Sequence, residues 1–102
     1  MNHEESQSPF DIFIKLVHVT AQTYARRTIE DNLKRGTGTY STQDVEALFV
    51  ILMAQFHERL ELHVPKVDPK RVNFEVMFRN ILSMVYQEAA AHLIQGYGYR
   101  PT

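Results

Sequence analysis

Apolar residues along this chain recur at spacings of three and four, and no stretch alternates apolar with polar over a strand's length. Three segments carry the pattern, each bracketed by start and stop signals, and together they predict an all-α fold. The first runs from Pro9 to Arg35. Ser8 can cap it, Pro9 suits a first position that needs no N–H, and Asp11 complements the positive end of the helix dipole. Lys34 and Arg35 suit the negative end, and Gly36 can take the left-handed conformation that closes a helix.

The loop Gly36-Thr37-Gly38-Thr39 leads to a second segment, roughly Thr42 to His63. Ser41 and Asp44 have capping-box spacing, and Tyr40 and Val45 fall at the two positions of a hydrophobic staple. Pro65 ends this segment, because its ring and missing N–H forbid continuation. The third segment opens with Asp68 as cap and Pro69 at the first helical position, with Val67 and Val72 as a second staple. It runs to about Gln95 and stops at Gly96. Short connections between long helices favour antiparallel neighbours, so the prediction is an up-down-up bundle of three long helices. Residues 8–96 form its single domain, between a disordered segment, 1–7, and a flexible tail, 97–102.

Each helix carries more apolar surface than one stripe. In the first, Phe10, Phe13, Ile14, Val17, Ala21 and Tyr24 share a face, while Ile12, Leu16 and Val19 lie nearly opposite. The second has Val45, Leu48, Phe49, Leu52, Phe56 and Leu60 on its main face and Ala47, Val50, Ile51 and Ala54 behind it. The third has Phe74, Met77, Phe78, Ile81, Leu82, Val85 and Ala89 on one side, with Val72, Val76, Ala90 and Ile94 across from it. A lone three-helix bundle needs one stripe per helix. A second set left in water forfeits roughly 1.5–3 kcal/mol per large side chain relative to burial. Self-association is the expected remedy, with a two-fold homodimer the commonest form. Its interface would hold Leu16, Ala47, Val50, Ile51 and Ala54. Scattered surface apolars are ordinary, and that reading weighs most on the third helix, where Arg79, Ser83 and Gln87 interrupt the second line.

Composition narrows the function classes. Eleven Lys and Arg stand against twelve Asp and Glu, a formal net charge of −1, so the basic excess of most nucleic-acid and membrane-surface binders is absent. There is no cysteine, which removes disulfides, thiolate metal sites and cysteine nucleophiles. The polar, acidic start does not resemble a signal peptide, and the longest apolar run, Ala47 to Ala54, is far short of the roughly 20 residues that span a bilayer. A cytoplasmic location with no membrane contact is the expectation.

Candidate chemistry is thin. Arg26, Arg27, Lys34 and Arg35 cluster toward one end of the first helix, with Lys66, Lys70 and Arg71 at the other end of the bundle. Doubled by symmetry, either cluster could contact nucleic acid, although Glu30, Asp31, Asp68 and Glu75 dilute them. The Gly36–Ser41 loop precedes a helix N-terminus and could hold an anion, but it lacks the Gly-Lys-Ser/Thr ending of a phosphate loop. His18, His57 and Glu61 would be the metal ligands if antiparallel packing joined them; Glu88 and His92 form a further i, i+4 pair. No nucleophile–base arrangement can be assigned, and no cofactor is expected. Tyr97, Tyr99 and Pro101 give the tail the look of a segment that docks on a partner. The reading is a non-enzymatic interaction or regulatory protein, working as a homodimer and toward a protein partner. A small nucleic-acid-binding regulator and a metal-binding helical protein are the alternatives.

Overall fold

The computed structural model describes residues 8–97, which form four helices: α1 (Pro9–Arg35), α2 (Thr42–Gln55), α3 (His57–His63) and α4 (Arg71–Tyr97). Among the described residues there is no strand. Local chemistry sets the ends as the pattern requires. The Ser8 hydroxyl accepts the Asp11 N–H at 3.1 Å while the Asp11 carboxylate accepts the Ser8 N–H, a full capping box. Ser41 and Asp44 repeat the device at the start of α2, at 3.3 and 3.0 Å. Gly36 closes α1 at φ 76°, a conformation that favours glycine, and the Thr37 N–H returns to the Asn32 carbonyl at 3.0 Å.

Three expected boundaries are corrected. The second segment is not one helix: Phe56, at φ −104° and ψ 22°, separates α2 from α3. No proline or glycine marks that break, and the buried positions Leu52, Phe56 and Leu60 keep their spacing of four across it. The Phe56 ring is buried edge-on to Phe13, 5.6 Å between centroids, so the bend sits where this side chain enters the core. At α4, Asp68 and Pro69 belong to a turn before the helix. Asp68 still caps, its carboxylate accepting the Lys70 N–H at 2.8 Å and its carbonyl the Arg71 N–H at 2.9 Å. The expected stop at Gly96 also gives way, because α4 continues through it to Tyr97; one glycine costs a helix only about 1 kcal/mol against alanine. The expected disordered segment 1–7, and the tail from residue 98 on, lie outside the described residues.

The core is built from lines of side chains four residues apart. On α1 these are Phe13, Val17, Ala21, Ala25 and Ile29; on α4, Phe74, Phe78, Leu82, Tyr86 and Ala90. Phe10 lies 6.2 Å from Phe74, so α1 and α4 start at the same end and run parallel, and α1 packs most extensively on α4. Phe49 meets Phe78 at 5.6 Å, and Phe56 meets Phe13, so α2 runs against both. A four-residue line precesses about 40° per step, so each buried line winds part of the way round its helix and can meet more than one neighbour. The helices together form a slab with extents of 44 × 37 × 19 Å. Its radius of gyration, 15.6 Å, exceeds the about 13 Å of a compact domain of this length.

Polar pins hold the two ends. At one, Asn32 Nδ2 donates to the Thr39 carbonyl at 2.9 Å and the Asp44 carboxylate at 3.1 Å, and the Tyr86 hydroxyl donates to the Asp44 carbonyl at 3.4 Å. At the other, the buried Arg71 guanidinium holds Glu61 at 3.2 Å, Glu75 at 3.0 Å and the Val64 carbonyl, tying the end of α3 to the start of α4. Arg71→Ala should therefore lower unfolding free energy by about 2–3 kcal/mol, less than a fully buried pair because both carboxylates keep some water. Denaturant unfolding reads this directly; a change under half a kcal/mol would show the network to be idle.

Candidate functional site

The buried line of α2 leaves its opposite side outward. Val45, Leu48, Phe49 and Leu52 face the core, so the positions between them, Ala47, Val50, Ile51 and Ala54, face away. Val50 is 63% exposed and Ile51 43%, and both alanines are exposed. On α1, Leu16 is 40% exposed, with Ile12 and Val19 more so. These two sets meet. Leu16 and Ala54 line one groove, Ile12 and Leu62 line another, and Arg59 borders both. Outward apolar residues thus stand on α1, α2 and α3, with Gln55, His57, Glu58 and Arg59 among them at the first groove. Leu62 and Arg59 were not singled out in the sequence, although Leu62 continues the outer line of α2 by spacings of four from Ala54 through Glu58; that intervening charge hides it.

The expected second line of α4 is not continuous. Val72 and Val76 are exposed, but Ala90 is buried and Ile94 partly covered. The physical reason is the precession of the buried ridge, which carries Ala90 onto the same line as Phe74, Phe78, Leu82 and Tyr86. On α1 the same drift leaves Tyr24 exposed and buries Ala25 and Ile29 instead.

The basic residues do not converge. Arg26 lines a groove between α1 and α4 that also holds Gln22, Glu88 and His92. Arg27, Lys34 and Arg35 are exposed, the last two in the final turn of α1 where helix carbonyls favour cations. In the opposite cluster Arg71 is internal and paired, so it does not stand beside Lys66 and Lys70 as a surface cation. At the Gly36–Ser41 loop, the Ser41 and Asp44 N–H groups are taken by the capping box, and the Asp44 carboxylate occupies the positive end of α2 where an anion would sit.

Of the metal candidates, His57 and Glu61 are one turn apart on α3, and His18 is on α1. Among the described residues no group of three or more His, Asp or Glu side chains could hold an ion. His18 stands one turn from Ile14 and from Gln22, both of which line grooves against α4, so it is on the α4 side of α1. Glu61 is turned to other partners: the Arg71 guanidinium and the Lys66 N–H take its two oxygens. His57 is exposed on α3. Tyr86 is structural in the same sense. Burial pushes its hydroxyl above the ordinary tyrosine value, against a hydrogen bond with Thr28 and with the nearby Asp44 charge adding to the rise, so it stays a protonated donor.

No family model, curated protein or solved structure matches the chain.

Burial works to raise the Glu61 carboxyl pKa. Hydrogen bonds from the Lys66 N–H and Arg71, with the charges of Arg71 and His57, outweigh it and leave the pKa below the ordinary glutamate value. A depressed carboxylate stabilises the fold above its unfolded pKa and loses that contribution as pH falls through the folded one. The difference in melting temperature between wild type and Glu61→Gln should therefore be full at neutral pH and close as pH falls below about 4.3. A difference that stays constant into acid contradicts the ion pair.

Proposed function

We propose that this chain is a non-enzymatic, α-helical interaction or regulatory protein that works as a homodimer through protein–protein contacts. The observation that carries the reading is the exposed apolar face of Ile12, Leu16 and Val19 on α1 with Ala47, Val50, Ile51 and Ala54 on α2. Soluble monomers rarely leave a contiguous patch of this kind uncovered.

Magnitudes favour a second copy as the cover. Ile12, Leu16, Val19, Val50, Ile51 and Leu62 are between 40% and 77% exposed, and covering them would gain on the order of 5–10 kcal/mol per protomer. A symmetric pair doubles that figure, against an association cost of about 4–15 kcal/mol. The balance supports a dimer of moderate affinity. The flat, expanded shape agrees with it, because a slab 19 Å thick presents broad faces and gains thickness by stacking on a partner. A near-neutral chain with a net charge of −1 also meets little repulsion from its own copy.

Light scattering should give twice the 11.9 kDa chain mass, falling toward the single chain on dilution. Ile51→Glu should shift the equilibrium to monomer with helical content unchanged, since Ile51 points out of the fold. Val72→Glu, on the exposed part of α4, should leave the dimer intact. A wild-type protein that is one copy at every concentration removes the reading.

A further inference from the structure

The outer line of α2 reads the same in both directions by size: small, large, large, small, as Ala47, Val50, Ile51 and Ala54. Its centre falls between Val50 and Ile51. Four residues beyond each alanine stands an exposed polar residue, Gln43 before on α2 and Glu58 after in the first turn of α3. A sequence with this symmetry is complementary to itself when two copies run antiparallel, since a two-fold axis through the midpoint sets each position against its mirror.

We propose that α2 pairs with α2 of a second copy antiparallel, about a two-fold axis between Val50 and Ile51. This rests on the homodimer reading above and specifies its register. Ala47 of one protomer then lies against Ala54 of its partner at both ends of the contact. Having only a methyl group at these positions brings the two helix axes to the near end of the 8–10 Å packing range. Val50 meets Val50 on one flank of the seam and Ile51 meets Ile51 on the other. The first turn of α3, which carries Glu58, comes to the end of the seam where the partner's α2 begins and carries Gln43, an amide that can donate to a carboxylate.

The neighbouring helix fits this arrangement. Leu16 shares a groove with Ala54. Because α1 runs against α2, three residues farther along α1 brings Val19 level with Ile51, close to the proposed axis. The two copies of α1 would then lie on the Ile51 flank, and Leu16 and Val19 would extend the seam sideways into a layer of four helices. A parallel pairing would set Ala47 on Ala47 and Ala54 on Ala54, but it would also place Glu58 against Glu58 with no amide between them.

The absence of cysteine makes the register directly readable, since each introduced thiol is the only one in its chain. A disulfide requires Cα atoms within about 7 Å. In the proposed register, position 47 and its own copy are separated by about 10 Å along the axis, seven rises of 1.5 Å. The measurement is oxidation of Ala47→Cys, Ala54→Cys and Ile51→Cys proteins, alone and mixed, followed by non-reducing electrophoresis, with light scattering on each reduced variant. The expected result is a linked dimer from the mixture of Ala47→Cys with Ala54→Cys, none from either alone, and self-linking of Ile51→Cys. Self-linking of Ala47→Cys overturns the register and leaves the dimer standing. A dimeric mass with no link at any of the three positions overturns α2 as the seam. A monomeric mass for wild type and variants alike overturns the homodimer reading and the register with it.

Discussion

Each helix buries a ridge whose members stand four residues apart, and much else in this structure depends on that spacing. Such a ridge winds slowly round its helix, so one helix can bury it against two neighbours in turn. The helices form a slab, with Ala21 and Ala25 buried at the middle of α1. The packing also decides which side of α2 is covered. Placed against both α1 and α4, α2 spends Val45, Leu48, Phe49 and Leu52 inward and has nothing above its opposite side.

The polar interactions act at the margins of this core. Asn32, Asp44 and Tyr86 fasten the turn between α1 and α2, where carbonyls and N–H groups would otherwise compete for water. Arg71 does the same for the longer connection into α4, satisfying the Val64 carbonyl and two carboxylates at once. Arg79 adds a third tie on the α2–α4 side, bound to Glu46 at 2.8 Å and lying over the Phe49 ring. With Arg71 and Glu61 engaged in holding the fold, the outward side of α2 between Ala47 and Ala54 is an apolar surface with no partner within the fold.

That division of labour is why a contact function follows more naturally than chemistry. The groove beside Leu16 and Ala54 mixes these with Gln55, His57, Glu58 and Arg59, and the groove between α1 and α3 sets Ile12 against Leu62, so aliphatic surface lies next to polar groups there. Arg59 at their junction supplies a charged rim. An interface built on such a surface would draw its free energy from area and its specificity from shape, and on α2 the order of small and large residues is the same read from either end.

The sequence by itself determined the helical class, the Ser8 cap, the Ser41–Asp44 capping box, the glycine that closes α1, and the outward set on α2 together with Leu16, because caps and helical periodicity act within a few residues. Only tertiary structure decided the bend at Phe56, whose ring enters the core beside Phe13 with no local signal. It alone placed Arg71 inside, since the carboxylate that draws it there lies ten residues away. It also divided the second lines, burying Ala90 and leaving Tyr24 out. Where a buried line drifts round its helix, the covered side depends on which neighbours pack against each turn, and that packing is a property of the whole assembly of helices.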